Sequence, residues 1–284
     1  MSLYFTARDQ KVYHGDFLKA KDVPAGSVDL IVTSPPYNVG INYSGHEDNL
    51  PYDEFLKFSE TWMAKCFRLA KDDCRFCLNV PFNTHKWGHR GTLADFTWLA
   101  QKVGWLYHST VVWNKQAVPS RTAWGSWMSA SAPHILQPAE AIVVLYKKNW
   151  AKNKAGESNI TREEFIEWTI GIWNIGGEDP AVAGHPAPFP VELPRRCMRL
   201  LSYVGDTVLD PFVGSGTTLV ACALDRRIGI GFEKDVAYCE VTKNRLVRDG
   251  MVLQEGLFDH LERGETCFLK TKPQGTFLEE LEFE

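Results

Sequence analysis

Residues 207–218 read Thr-Val-Leu-Asp-Pro-Phe-Val-Gly-Ser-Gly-Thr-Thr and run on into Leu219-Val220-Ala221-Cys222-Ala223. The pattern is a short apolar strand, a glycine-rich turn and the start of a helix. Gly214 and Gly216 tolerate positive φ and let the backbone approach a ligand closely. The helix start presents unpaired N–H groups. No Gly-Lys-Ser/Thr follows, which excludes a Walker phosphate loop. The dinucleotide pattern Gly-x-Gly-x-x-Gly is incomplete, because position 219 is Leu. Beyond the predicted helix, strand Ile228-Gly-Ile-Gly-Phe232 ends in Glu233. A carboxylate at that strand end is placed to bind a ribose diol. Together these features point to an adenosine ligand without phosphates at the turn, and to an α/β fold.

A second strand-end turn lies far upstream. The β-branched run Val28-Asp-Leu-Ile-Val32 reads as a buried strand and leads into Thr33-Ser34-Pro35-Pro36-Tyr37. Two prolines stop the strand and hold the backbone extended. The turn offers a hydroxyl, a carbonyl acceptor and an aromatic face, which suits a planar group carrying an NH₂.

Between the two turns the pattern predicts a helix over 53–71 capped by Asp53, with Phe55, Phe58, Trp62, Cys66 and Leu69 facing the core. It also predicts strands at 11–17, 74–80, 107–113 and 139–146. Further helices are predicted over 92–103, over 161–169 with a Thr161/Glu164 capping box, and over 190–202. Asp16 falls at the end of the first strand, where a turn or cap role is the plain reading. Cys74-x-x-Cys77 lies within a strand and reads as core. His85 and His89 lack Cys or acidic partners at metal spacing. No metal is expected.

The chain has 284 residues, 44% hydrophobic and 23% charged, with seven scattered cysteines. From this composition a soluble, reduced, cytoplasmic protein without a membrane span or a secretory leader is expected. The net charge of −4 hides an asymmetry. Residues 249–284 carry three basic and nine acidic side chains, leaving the remainder at +2. A local basic cleft suited to phosphate remains compatible with that balance.

With both turns in hand, the chain resembles the S-adenosylmethionine-dependent DNA amino-methyltransferases, which methylate exocyclic amines. Asp210 to Thr218 resembles that family's cofactor motif, and Thr33 to Tyr37 its catalytic motif. Catalytic before cofactor motif is the permuted order of the β group. Trp113-Asn114-Lys115 and His185 to Pro190 also match, and the resemblance spans residues 10 to about 248. It implies a Rossmann-like methyltransferase fold, a mostly parallel seven-stranded sheet with helices on both faces and a small target-recognition insertion. Residues 1–115 would form the catalytic half, 116–180 a strand and the target-recognition region, and 181–248 the cofactor half. Residues 249–284 would be an acidic extension packed on the domain or on a second subunit.

The resemblance assigns Ser34, Pro35, Pro36 and Tyr37 to catalysis. Phe212, Gly214, Ser215, Gly216, Thr217 and Thr218 would line the methionine end of the cofactor. Asp210 would hold the turn, Glu233 would take the ribose, and Asp16 and Phe17 would lie near the adenine. His185, Pro186 and Phe189 would close over the methionine moiety, and residues 38–50 match a loop ordered by DNA. Lys86, Arg90, Lys115, Arg121, Lys147 and Lys148 are the nucleic-acid candidates. The implied partners are double-stranded DNA, a second copy of the chain and a cognate restriction endonuclease. Ser at position 34 leans toward cytosine N4, whereas Asp or Asn there leans toward adenine N6. Competing readings are an RNA or protein-amide methyltransferase, which more often carries Asn at this position, and a DNA-binding module without activity. The absence of any Pro-Cys dipeptide fits amine rather than ring-carbon methylation.

Overall fold

The computed structural model describes residues 2–38, 40, 49–84, 90–115, 125–133, 135, 137–177 and 189–251, and the short strands 42–43, 46–47, 267–269 and 281–283. The main sheet is built from β1 (Ser2–Ala7), β2 (Gln10–His14), β3 (Val28–Thr33), β4 (Ala70–Pro81), β5 (Leu106–Asn114), β6 (Ala139–Tyr146), β7 (Ile172–Asn174), β8 (Thr207–Asp210) and β9 (Ile228–Glu233). Their order across the sheet is β1-β2-β9-β8-β3-β4-β6-β5-β7. Strands β2, β9, β8, β3 and β4 are mutually parallel, β6 runs against both its neighbours, and β1 pairs antiparallel at one edge. The seven strands implied by the resemblance form the centre. The antiparallel β1 and the three-residue β7 extend it at the two edges.

Both faces of the sheet are covered, which explains why β3 is largely apolar and wholly buried. The pleat sends alternate residues to opposite sides. Ile31, Phe76, Leu78 and Val143 join a cluster with α1 (Tyr52–Leu69) and α2 (Thr92–Val103). Leu30, Val32, Cys77 and Ile142 join a cluster with α4 (Glu192–Leu201) and α5 (Thr217–Leu224) on the other face. Helix α6 (Val236–Arg245) leads into a π-helical turn at Leu246–Met251. The short helix α3 (Arg162–Trp168) carries the expected capping box between Thr161 and Glu164. Cys74 and Cys77 are core residues.

One expected cap is corrected. Helix α1 begins one residue earlier than predicted, at Tyr52, and Pro51 occupies the cap position without a side-chain hydrogen bond. Proline presets the backbone for helix entry, so Asp53 sits in the first turn, where its charge suits the helix dipole.

Helix α1 also carries Lys65, whose position in the pattern suggested nothing. Its ammonium is buried and donates to the carbonyls of Phe17, Leu18 and Ala20, at 2.5, 3.0 and 2.7 Å. It thereby caps the short 3₁₀ turn Phe17–Lys19, whose N-terminus is capped by Asp16. Burial pushes the Lys65 pKa down, and the three carbonyls offset that cost. We predict that Lys65→Met lowers unfolding free energy by about 2–4 kcal/mol, because three carbonyls lose a charged donor. Urea unfolding measures it, and a loss under about 1 kcal/mol would show that the carbonyls find other partners.

Candidate active site

The parallel strands bring their carboxyl ends to one edge, which is where α/β sheets bind ligands. Strands β3 and β8 are neighbours although the two turns that follow them are far apart in the chain. Asp210 joins these turns directly. It accepts from Thr33 Oγ1 at 2.7 Å, from Thr218 Oγ1 at 2.6 Å and from the Phe212 N–H at 3.0 Å. Asp210 is fully buried, and desolvation raises its pKa to about 6 despite those three donors. The carboxylate is therefore a clasp between the residue preceding Ser34 and the first turn of α5.

The glycine-rich turn is held from three sides. Glu233 accepts from the Gly214 N–H at 3.0 Å and from the Asp235 N–H at 2.9 Å. Thr242 Oγ1 donates to the Gly214 carbonyl at 2.7 Å. Arg245 Nη1 reaches Ser215 Oγ and Thr217 Oγ1, each at 2.9 Å, and the Ser215 carbonyl at 3.2 Å. Gly216 has φ +86°, and a Cβ there would lie 2.6 Å from Thr242 Cγ2. The turn has no room for a side chain and requires a left-handed residue. Gly231 likewise lets Val213 and Leu219 lie against β9, since a Cβ would meet them at 2.8 and 2.9 Å.

Placement refines several expected roles. The hydroxyls of Ser215 and Thr217 face Arg245, and that of Thr218 faces Asp210, so all three hold the turn. Phe212 packs edge-on against Trp62, ring centroids 5.3 Å apart. Phe17 is buried beside Phe232, ring centroids 5.2 Å apart. Asp16 caps its 3₁₀ turn and lies 3.4 Å from Lys234 Nζ. Glu233 stands at the end of β9, level with His14. Burial raises its pKa. Phe189 packs against the core beneath α4. His185, Pro186, Lys86 and Arg121, and with them most of the acidic extension, lie outside the described residues.

The Ser-Pro-Pro-Tyr turn closes on itself. Ser34 Oγ and Tyr37 OH are 2.6 Å apart. Asn38, at φ +57°, clasps the backbone of Leu50 with both ends of its amide, at 2.7 and 2.8 Å. That pair closes the base of the 38–50 loop beside the catalytic turn. Asn79 and Glu140 also reach Tyr37 OH, at 3.0 and 3.1 Å.

The basic candidates divide by position. Arg90 is exposed at the catalytic edge, its guanidinium 5.1 Å over the Tyr52 ring. Lys115 lies at the same edge and forms an ion pair with Glu140. Lys147 and Lys148 lie at the opposite end, beside the start of β4, and both pair with Asp72. The structure therefore does not bring these two to the site. The antiparallel direction of β6, hidden in the sequence, carries its end away from the strand ends that bind.

Sequence reasoning passed over Arg245, Thr242, Asn38, Asn79 and Glu140. Asn79 and Glu140 did leave a trace, as polar residues in or beside strongly apolar strand runs. Arg245 and Thr242 left none, because a helix surface is ordinarily polar. Among the described residues, no cluster of His, Cys, Asp and Glu could hold a metal, and no helix is long and apolar enough to cross a membrane.

Comparison with known proteins agrees with this geometry. Residues 28–244 match the N6/N4 methylase family, described as DNA methylase. Type II methyltransferase M.MjaVI of Methanocaldococcus jannaschii is 53% identical over 163 residues, 57% of this chain and 84% of that protein. Type II methyltransferase M.HpaI of Haemophilus parainfluenzae is 27% identical over 253 residues, 84% of this chain and 74% of that protein. Among solved structures, TTHA0409 of Thermus thermophilus in complex with S-adenosyl-L-methionine superposes with a TM-score of 0.69 at 29% identity, over 86% of this chain and 95% of that one. PvuII DNA methyltransferase (cytosine-N4-specific) shares the fold, with a TM-score of 0.67 at 20% identity.

Two predictions test the clasp and the turn. The Asp210 pKa of about 6 lies above the ordinary 3.8. Folding thus favours the protonated carboxyl, so the stabilising contribution is complete below about pH 4 and is lost as the pH rises through about 6. The unfolding free energy of the wild type relative to Asp210→Asn should fall by about 2–3 kcal/mol between pH 4 and pH 7. A pH-independent difference in urea unfolding would contradict the raised pKa. Gly216→Ala, strained by its φ and by Thr242, should weaken S-adenosylmethionine binding at least tenfold (about 1.4 kcal/mol or more) by isothermal titration. Unchanged affinity would show that the cofactor does not need this cradle. Matched over residues 28–244, the chain belongs to the N6/N4 DNA methylase family, the amino-methyltransferases of DNA.

Proposed function

We propose that this chain transfers a methyl group from S-adenosylmethionine to the N4 amine of a cytosine flipped out of duplex DNA. The family supplies the reaction class, and Ser34 at the head of the Ser-Pro-Pro-Tyr turn carries the choice of base. The tight, side-chain-free cradle at Gly216 and the buried Glu233 carboxylate fit a cofactor with an amino-acid end and a ribose.

An exocyclic amine is a weak nucleophile because its lone pair is delocalised into the ring. Ser34 Oγ and the Pro35 carbonyl would each accept one of its N–H groups, which localises the lone pair on nitrogen and aims it. Tyr37 offers a ring face for the extruded base. When bound, the cofactor would supply an electrophilic methyl on a sulfonium; the amine would take the methyl and give up one of its protons to solvent, and S-adenosylhomocysteine would be left. Most of the rate then comes from positioning, because attack requires nitrogen, methyl carbon and sulfur in line. The Asp210 clasp serves that requirement, since it fixes the catalytic turn to the cofactor turn through a single carboxylate.

Arg90, exposed at the catalytic edge, is the described side chain best placed to meet a DNA phosphate. The type II relatives support a cognate restriction endonuclease as companion. The exposed Trp127 and Met128 support residues 116–180 as the surface that meets the target.

The deciding experiment is incubation with tritiated S-adenosylmethionine and unmethylated duplex DNA, followed by nucleoside digestion and mass spectrometry. N4-methylcytosine is the expected product. N6-methyladenine would keep the mechanism and remove Ser34 as the base selector. Labelled RNA or protein with unlabelled DNA would sink the DNA reading.

A further inference from the structure

The register of the sheet places four polar side chains in a row from the catalytic turn across the neighbouring strands. Thr33 pairs with Leu78, so Ser34 lies level with Asn79. Glu140, at the start of β6, lies between Pro81 of β4 and Trp113 of β5. Lys115 follows β5 at the same level and forms an ion pair with Glu140. The side chains are in contact along the row. Ser34 Oγ meets Tyr37 OH at 2.6 Å, and Tyr37 OH donates to Glu140 Oε2 at 3.1 Å. Asn79 Nδ2 donates to Glu140 Oε2 at 2.6 Å and to Tyr37 OH at 3.0 Å, and lies 3.5 Å from Ser34 Oγ.

The chemistry of these groups favours one direction for the chain: the Tyr37 proton has Ser34 Oγ, the Asn79 carbonyl and Glu140 Oε2 within reach, and of these only the carboxylate is charged. A carboxylate paired to an ammonium only accepts hydrogen bonds. Tyr37 has one proton, and donating it to Glu140 leaves its oxygen to accept. The Ser34 hydroxyl, with a single proton of its own, then donates that proton to Tyr37. Its lone pairs are left for another donor. A serine that donated toward the substrate would repel the amine it has to accept from.

We propose that Glu140 is a positioning residue for methyl transfer: through Tyr37 it turns the Ser34 hydroxyl so that the oxygen accepts from the target amine. Asn79 holds the carboxylate and the phenol at the correct separation, and Lys115 holds the carboxylate from its far side. The Tyr37 ring face and the Tyr37 hydroxyl thus serve different purposes. Charge at one end of a hydrogen-bond chain polarises every link, so Ser34 is also a stronger acceptor than an isolated serine. The inference rests on Ser34 being the group that meets the amine.

The test is a double-mutant cycle on single-turnover methylation of duplex DNA, using Glu140→Gln and Tyr37→Phe. The glutamine keeps the shape and loses the acceptor-only charge. The phenylalanine keeps the ring face and loses the middle link. Each single variant should slow methyl transfer about 10–100-fold, as for loss of one hydrogen bond to a charged group. Apparent affinities for S-adenosylmethionine and DNA should stay within about twofold. The double variant should be no slower than the slower single one, because both substitutions break the same chain. Wild-type rates in either single variant, or losses that multiply in the double one, would overturn the proposal. If Glu140→Gln failed to bind the cofactor, Tyr37→Phe alone would decide, since a full rate there also rules the chain out. A wild-type enzyme that methylates no DNA base would overturn the function reading, and this inference with it.

Discussion

A single buried carboxylate holds the two strand-end turns together. Asp210 receives one hydroxyl from β3 and one from α5, together with the N–H of Phe212 in its own turn. In the proposed reaction, in-line methyl transfer tolerates little misplacement, so the two turns would have to keep a fixed separation. Two loops that met only through side-chain tips could not guarantee this. Adjacent parallel strands with the clasp across their ends do, because the sheet sets the strand spacing and the carboxylate sets the last few ångströms. Burial raises the cost of ionising Asp210, and three donors limit that cost. The same dry environment makes each of these hydrogen bonds expensive to break.

The surrounding architecture extends the same logic. Glu233, Thr242 and Arg245 bind the glycine-rich turn from β9 and α6. Asn38 fixes the start of the 38–50 loop to its end at Leu50. Lys65 ties the turn after β2 to α1. Each of these contacts converts an irregular backbone, which has no ladder of its own, into one with defined partners. The site is precise because its loops are satisfied by side chains from rigid elements beneath them.

Much of the fold was legible because its signals are local. The run Val28 to Val32, apolar but for Asp29, announces a buried strand. The capping box at Thr161 and Glu164 lies within one helical turn, and the glycines at 214 and 216 belong to one short turn. Asp53 shows the limit of such reading, since a good capping residue was displaced by the proline two positions before it. Lys147 and Lys148 show a second limit. They formed a reasonable basic cluster, yet an antiparallel strand delivers them to Asp72 at the far end. Strand direction within a sheet is set by pairing between distant segments, which composition does not reveal.

Local patterning carried the α/β class, the two turns and the residue types that chemistry on an amine needs, and the resemblance supplied their permuted order. It also singled out Asp210 and Glu233 as carboxylates at strand ends. What those groups touch came from long-range packing. It assigned the hydroxyls of Ser215 and Thr217 to Arg245, and it joined Ser34 to Glu140 through Tyr37. The physical reason is that hydrogen-bond partners are fixed by sheet register, and register is a long-range property. Ser34, Asn79, Glu140 and Lys115 lie on or beside four different strands and become neighbours only when the sheet forms.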